Sequence, residues 1–176
     1  ERYASLSPSG TTVEYYYDPG ADRIVRKDDF SPVEGEVQMD INAAQQVAED
    51  FARSQVPFFD RSDLILSSSV DAQENSSAPG VYVFTWTATD PGSGAILPTF
   101  LVVEVDGSTG QVKSFLSVDD EVTVSTEPQV SEEAAIAAAR SALGDAPAEV
   151  QAEAVLAVGT DARETPGGDQ ILEWMV

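Results

Sequence analysis

The two halves of the chain carry the same order of predicted elements at a nearly constant offset. The only two tryptophans, Trp86 and Trp174, lie 88 residues apart in "FTW" and "LEW". Asp18 and Asp106 lie the same distance apart, and the two predicted helix starts lie 89 residues apart. A shared order of elements at a fixed period is typical of repeated structural units. The repeat therefore predicts two copies of one small fold.

Two helices are predicted from apolar residues at helical spacing. The first lies in "INAAQQVAEDFARSQVP", where Asn42 and Gln45 form a capping-box pattern and Pro57 ends the helix. The second covers "VSEEAAIAAARSALG", where Ser131 is the predicted cap and Gly144 the predicted end. Small residues on the apolar face of each helix predict close packing on a sheet: Ala44, Ala48, Ala135 and Ala139.

Strands are predicted where apolar and polar residues alternate. The clearest is "VYVFTWTAT", in which Tyr82, Phe84 and Trp86 share one face, as in a half-buried strand of an antiparallel sheet. The segment "AEVQAEAVLAV" fits either a strand or a helix. The other predicted strand segments are two hairpins, at 12–30 and 100–116, and single strands at 62–70 and 170–176.

The stretch "VDGSTGQV" at 105–112 joins two apolar strands and invites three interpretations. A calcium loop of the EF-hand type needs alternating oxygen ligands and a distal Glu, which this stretch lacks. A phosphate-binding loop leads into a helix, whereas this one leads into a strand. A hairpin turn accounts for every residue, because Asp106 accepts backbone N–H groups and Gly110 takes the left-handed conformation. We therefore predict a turn.

This hairpin and the second helix resemble the PepSY family, which includes repeats of bacterial cell-envelope proteins and the propeptide region of thermolysin-like metalloproteases. The family's "D-x-x-T-G-x-V" hairpin is matched by Asp106, Thr109, Gly110 and Val112. Its helix start is matched by Val130, Ser131, Glu132, Glu133 and Ala135. The resemblance implies an α+β fold, often in a secreted protein, and a role in binding or restraining peptidases. The family has no general catalytic residues, so the resemblance assigns none to this chain.

The repeat and the resemblance together predict the domain organisation. We expect an α+β fold of two PepSY-like units, each one α-helix packed on a small antiparallel β-sheet. Residues 39–126 form the first unit, and residues 127–176 the second, which lacks its final hairpin. Residues 1–38 are a hairpin and linker that either end a preceding unit or complete the sheet of the second. In that last case, Val13–Tyr17 would pair with Ile171–Val176.

The charge of the chain excludes several classes of partner. Nine basic and 31 acidic residues give a net charge of −22 over 176 residues. Such a surface repels the phosphates of nucleic acids and of anionic lipids, so we expect no nucleic-acid partner. No apolar run approaches the roughly 20 residues that span a bilayer, so we expect no direct membrane insertion. An acidic surface that binds divalent cations remains an alternative.

Candidate catalytic residues are restricted to carboxylates. The chain contains no cysteine and no histidine, which excludes thiolate nucleophiles, Ser-His-Asp triads and His-ligated zinc. Two acidic pairs, at 28–29 and 119–120, follow the predicted hairpins and are interpreted as solvated linker charge. We therefore predict that the chain is not an enzyme, with no catalytic, cofactor-binding or metal-ligating residue and no cofactor.

These features predict an extracellular or cell-envelope binding module from which any signal peptide has been removed. Its expected partner is a protein, and the expected class of partner is a peptidase that the module inhibits or regulates. Binding would use an exposed sheet edge or an acidic loop surface, since edge pairing needs only backbone groups. The alternative is a structural spacer, one repeat of a longer surface protein with no inhibitory activity. The oligomeric state is left open.

Overall fold

The computed structural model describes residues 1–6, 11–143, 152–160 and 169–176, which form nine strands and two helices. The strands are β1 Arg2–Leu6, β2 Thr12–Asp18, β3 Arg23–Asp29, β4 Leu64–Val70, β5 Val81–Thr89, β6 Ile96–Asp106, β7 Val112–Asp119, β8 Val155–Thr160 and β9 Gln170–Met175. The helices are α1 Ile41–Gln55 and α2 Glu132–Leu143. Every predicted hairpin and helix has a counterpart here, whereas no strand is predicted at β1.

All nine described strands belong to one hydrogen-bonded, mixed sheet. Seven follow the order β1-β2-β3-β7-β6-β5-β4. β8 joins through a parallel bridge between Ile96 of β6 and Ala157, and β9 pairs antiparallel with β8. The predicted fold class, two units that each pack one helix on a small antiparallel sheet, is therefore wrong. The reason is that β6 is 11 residues long, and its pairing with β7 begins only at Thr99, so its first residues remain available to β8.

Contacts within the chain divide it into two compact units. Unit 1 comprises Glu1–Thr87 and Thr99–Asp119, and unit 2 comprises Ala88–Pro98 and Asp120–Val176. Both β5 and β6 therefore contribute residues to each unit. The boundaries expected from the sequence repeat, after residues 38 and 126, remain a prediction.

The N-terminal hairpin lies in unit 1. β2 pairs with β1 on one edge and with β3 on the other, and β3 in turn pairs with β7. Because both edges of β2 already carry strands, the predicted alternative in which Val13–Tyr17 pairs with Ile171–Val176 is wrong. The hairpin extends the sheet of unit 1.

The first turn of α1 is capped by Asp40 and not by the predicted capping box. The Asp40 carboxylate accepts a hydrogen bond from the Ala43 N–H at 2.9 Å, whereas Asn42 is already inside the first turn. A short acceptor at this position satisfies an N–H group that the helix leaves unpaired. At the other end, Val56 has an extended backbone, because the Pro57 ring disfavours the helical conformation of the residue before it.

α1 packs in unit 1 through its alanines. Ala44 and Ala48, the predicted contact residues, are fully buried, and so is Ala52 one turn further on. The Phe51 ring of the same helix contacts Phe115 of β7, with ring centroids 5.0 Å apart. Small side chains allow the helix axis to lie close to a sheet that carries large rings, because protein interiors are close-packed.

Aromatic side chains form the face of β5 that is buried in unit 1. Tyr82, Phe84 and Trp86 share this face, as predicted, and their neighbouring ring centroids lie 6.5 and 6.2 Å apart. Phe59 packs edge-on against Trp86 at 5.3 Å. The Tyr82 hydroxyl donates a hydrogen bond to the Met39 carbonyl at 2.6 Å, so the polar end of this buried ring has a partner.

The stretch at 105–112 is a turn, as predicted. Asp106 Oδ1 accepts hydrogen bonds from the N–H groups of Ser108 and Thr109 at 2.8 and 3.0 Å. Gly110 has a φ of 70°, a conformation that costs glycine little because it lacks a Cβ. Asp18 accepts in the same way from the N–H two residues further on. The two aspartates of the 88-residue repeat therefore share their local chemistry.

The surroundings of α2 differ from those of α1. Ser131 caps α2, as predicted, because its Oγ accepts from the Ala134 N–H at 3.3 Å. Ala135 and Ala139 are only half-buried, however, so the prediction of close packing is wrong for this helix. Gly144 lies outside the described residues. The segment "AEVQAEAVLAV" contains the start of β8, so its last residues form a strand, whereas 148–151 lie outside the described part.

The two tryptophans of the repeat also occupy different environments. Trp86 is 4% exposed and surrounded by rings. Trp174 is half-buried, and its indole N–H donates to the Val130 carbonyl at 2.9 Å. The prediction of two equivalent units is therefore wrong, because the repeated residues share turns and caps but not packing.

We expect Asp40→Ala to lower the free energy of unfolding by about 1 kcal/mol, because the N-cap acceptor of α1 is lost. Asn42→Ala is the matched control, since this exposed side chain does not cap the helix. Urea denaturation followed by circular dichroism measures both. A larger loss for Asn42→Ala than for Asp40→Ala would contradict the assignment of the cap.

We expect Ala48→Leu to destabilise the fold by about 1–3 kcal/mol, because the larger side chain has no space on the buried face of α1. Ala43→Leu, the same substitution at an exposed position of α1, should change stability by less than about 0.5 kcal/mol. Thermal and urea unfolding of the two variants provide the comparison. Equal stabilities would show that Ala48 is not closely packed.

Candidate functional site

Three of the described strands, β1, β4 and β9, have only one strand neighbour in the sheet. β1 contains Arg2 and β9 contains Glu173, whereas β4, with the sequence "LILSSSV", contains no charged residue. Charged residues on an edge strand discourage pairing with another chain. β4 is therefore the edge of the described sheet that is best suited to accept a further strand.

Both faces of β4 are exposed. Ser67 Oγ donates to the Thr85 carbonyl at 3.1 Å and lies 2.8 Å from Thr87 Oγ1. Because side chains alternate along a strand, Ile65 shares this face, and it is 53% exposed. Leu66 and Val70 lie on the opposite face and are 38% and 36% exposed. A partner strand would therefore meet apolar side chains on either side of the backbone.

The composition of β4 lacks the usual protection of an edge strand. Natural sheets discourage edge pairing with lysine, proline or inward-pointing charge, and residues 64–70 contain none of these. A short, uncharged segment rich in Ile, Leu, Val and Ser, without proline, is also typical of sequences that pair readily with another strand. The exposed backbone edge of β4 therefore offers recognition by main-chain hydrogen bonds, with Ile65, Leu66 and Val70 as side-chain contacts.

An ion-pair cluster lies at the N-terminal end of β4. The Arg61 guanidinium hydrogen-bonds Asp63 at 2.7 Å and Asp119 at 2.9 Å. The hydrogen bond from Arg61 holds the pKa of Asp63 below its usual range. Asp60 lies 3.8 Å from Arg53, which also pairs with Glu49 and Asp50. Because these two arginines are shared by five carboxylates, this end of the strand has a net negative charge.

The C-terminal end of β4 is also acidic. Asp71 follows the strand directly and accepts a hydrogen bond from the Gln73 N–H at 2.9 Å, and Glu74 lies in the same turn. The loop is anchored by Asn75, a buried residue whose Nδ2 donates to the Val81 carbonyl at 3.0 Å. No salt bridge is described for Asp71 or Glu74 within residues 1–6, 11–143, 152–160 and 169–176. An uncharged strand therefore lies between two acidic ends.

A second candidate, in unit 2, is an open groove of about 420 Å³. It lies between residues 124–130 and the strands β8 and β9, and its apolar lining includes Leu156 and Trp174. Glu127 is the one charged residue among the described residues that line it. A binding site usually needs a few convergent polar groups to orient a ligand, so this groove is the weaker candidate.

Two side chains of β9 hold the segment that borders the groove. Gln170 Oε1 accepts from the Thr123 N–H at 2.7 Å, and Gln170 Nε2 donates to the Glu121 carbonyl at 2.8 Å. At the other end of the segment, Trp174 donates to the Val130 carbonyl. The segment 121–130 is therefore fastened to β9 at both ends.

Three of the four aspartates in the acidic pairs at 28–29 and 119–120 have side-chain partners. Asp28 pairs with Arg26 at 2.8 Å, and Asp29 lies 3.9 Å from Lys113. Burial tends to raise the pKa of Asp29, but hydrogen bonds from Ser31 and the charge of Lys113 lower it more, so the net shift is downward. The interpretation of these pairs as linker charge is wrong for residues 28, 29 and 119, because these residues lie within strands. Asp120 lies outside the strands and is exposed, as predicted.

Two lysines connect β3 to its surroundings in unit 1. Lys27 Nζ donates to the Val112 carbonyl at 2.8 Å, and Lys113 Nζ donates to the Ser31 carbonyl. Burial lowers the pKa of Lys27. Both ammonium groups are therefore committed to backbone carbonyls within the fold.

The described residues contain no group of three acidic side chains arranged to hold a metal ion. Neither helix in the described part of the chain is long and apolar enough to cross a membrane. The absence of catalytic, cofactor-binding and metal-ligating residues stays a prediction. Sequence reasoning anticipated an exposed sheet edge but did not identify β4, because a seven-residue run without charge or proline fits an inner strand as well as an edge strand.

We expect Gln170→Ala to accelerate hydrogen exchange of the Thr123 amide by roughly 2- to 10-fold, because one protein hydrogen bond contributes about 0.5–1.5 kcal/mol. Glu173→Gln, on the same strand, is the control and should leave this amide unchanged. Amide hydrogen exchange of the two variants, measured by NMR, provides the comparison. Unchanged protection in Gln170→Ala would show that Gln170 does not hold the segment.

Comparison with known proteins supports the fold. No protein family matches the chain, and no curated protein matches it in sequence. Among solved structures, the chain is similar to the C-terminal domain of YpeB from Bacillus megaterium, with a TM-score of 0.50 and 14% identity. The match covers 99% of this chain and 76% of that one. The likeness therefore shows that this chain shares its fold with that domain.

Proposed function

We propose that this chain is a non-enzymatic PepSY-like binding module that captures an extended segment of a protein partner along β4. The observation that carries the proposal is the exposed, uncharged edge of β4, with apolar side chains on both faces. Strand addition draws its affinity from main-chain hydrogen bonds and its specificity from alternate side chains. Ile65, Leu66 and Val70 would supply those side-chain contacts.

Strand addition explains how the chain could act without catalytic side chains. The sequence has no histidine and no cysteine, and its paired aspartates at 28–29 are engaged by Arg26 and by Lys113. Recognition through a backbone edge needs neither a nucleophile nor a general base. The proposed activity is therefore binding and, through binding, regulation of the partner.

We propose a peptidase as the class of partner. A module with an open edge is suited to hold an extended segment of a peptidase by strand addition. The PepSY-like fold is compatible with this role. An extracellular or cell-envelope location agrees with the absence of cysteine and with the strongly acidic surface, which would also exclude nucleic acids as partners.

The test uses Leu66→Lys, which places a charge in the middle of the proposed interface. We expect affinity for a captured peptidase to fall at least tenfold, about 1.4 kcal/mol, because a charged edge opposes pairing. Ile24→Lys is the matched control, since Ile24 is exposed but lies on β3, whose two edges are paired. Calorimetry and residual activity across a panel of secreted metallopeptidases measure the effect.

Each outcome bears on the proposal directly. Binding that is lost in Leu66→Lys and kept in Ile24→Lys supports capture along β4. Equal loss in both variants, with unchanged circular dichroism, would place the interface elsewhere. Absence of binding and inhibition across the panel would remove the peptidase role and favour the spacer.

A further inference from the structure

We infer that the segment captured by β4 is an uncharged stretch of about seven residues with a lysine or arginine at each end. This inference rests on the proposed function and deepens it by naming the chemistry of the partner. Its basis is the distribution of charge along the strand, where seven uncharged residues are enclosed by Asp63 and Asp71, eight positions apart in sequence.

Both ends of β4 present carboxylates that lack full compensation. Arg61 is shared by Asp63 and Asp119, so it cannot neutralise both. Asp71 accepts a hydrogen bond from a backbone N–H, which leaves its charge in place, and Glu74 adds another. Basic residues at the ends of a partner strand would complement these charges in either strand direction, because both ends of β4 are acidic.

The geometry also sets the spacing of the basic residues. Seven residues of an extended strand span about 23 Å, at about 3.3 Å per residue. A partner strand in full register with β4 would therefore carry its basic residues on either side of a seven-residue core. A shorter core would bring only one basic residue close to a carboxylate.

The same charges argue against a second copy of this chain as the occupant. Antiparallel self-pairing centred on Ser67 would bring Asp63 of each copy opposite Asp71 of the other. Parallel self-pairing in register would bring each aspartate opposite its own copy. Like charges directly opposite each other in a sheet are destabilising, and the net charge of −22 adds a general repulsion. A basic partner meets neither obstacle.

The experiment compares three synthetic peptides with the same alternating Thr-Val core of seven residues. One is flanked by two lysines at each end, the second by two glutamates, and the third repeats the first with prolines at two adjacent central positions. We expect the lysine-flanked peptide to bind roughly tenfold more tightly than the glutamate-flanked one at low salt, an advantage that should shrink at about 0.5 M salt. The proline peptide should not bind, because one of two adjacent prolines always faces β4 and removes a donor from the ladder.

Asp71→Asn tests the role of the acidic end. Asparagine retains an oxygen that can accept from the Gln73 N–H, so the turn after β4 is preserved while the charge is removed. We expect this variant to reduce the ratio of the affinities for the lysine-flanked and glutamate-flanked peptides by roughly 2- to 5-fold. Asp28→Asn is the control, since it removes one charge from β3, four strand positions away in the sheet order, and should leave the preference unchanged.

The outcomes separate the two proposals. If lysine- and glutamate-flanked peptides bind equally and the proline peptide does not, strand addition stands and the inferred charge pattern is wrong. If none of the three binds at about 1 mM while the chain sediments as a monomer, capture along β4 is itself wrong. A dimer that Leu66→Lys dissociates would show that a second copy is the occupant and would overturn the inference.

Discussion

The close approach of α1 to the sheet of unit 1 is the interaction on which the rest of that unit depends. Ala44, Ala48 and Ala52 leave no exposed surface, so the helix can lie near large rings without displacing them. In turn, Phe84 is completely enclosed. The burial of these rings contributes the main favourable term in folding. The edge strand β4 stays largely exposed, with only Leu64 of its seven residues buried.

Several aspartates act as hydrogen-bond acceptors for the backbone. Asp18 and Asp106 close the β2–β3 and β6–β7 turns, Asp90 accepts from the N–H groups of two residues after β5, and Asp40 caps α1. A carboxylate that accepts several N–H bonds is stabilised in its charged form, and such bonds explain why the pKa of Asp90 is lowered. Asp71 accepts a backbone N–H in the same way, so it both closes a turn and places a charge at the end of the exposed edge of β4.

The function proposed here depends on position more than on residue type. Serine, isoleucine, leucine and valine carry no chemistry of their own, and the same residues in an inner strand would only support the core. At the end of the strand order they present a backbone that can pair with another chain. In the proposed function, the acidic residues at both ends of β4 give this edge a preference for a partner strand that carries basic residues.

The sequence by itself determined the local features of this protein. Alternation located β5, helical spacing located both helices, and the turn at 105–112 and the cap at Ser131 followed from short-range chemistry. These features depend on residues within a few positions of each other, which is why they could be predicted from one sequence. The cap of α1 was misassigned from Asn42 because Asp40, two residues earlier, is an equally good acceptor.

Only the tertiary structure decided which strands pair, which helix is buried and which edge stays open. The 88-residue repeat predicted two equivalent units, and Asp18 and Asp106 do occupy turns of the same kind. Trp86 and Trp174, however, lie in different environments. Strand order depends on contacts between residues far apart in sequence, and it is selected by the burial that the whole sheet achieves. A single strand sequence therefore cannot say whether it lies inside a sheet or at its edge, which for β4 is the difference between packing and binding.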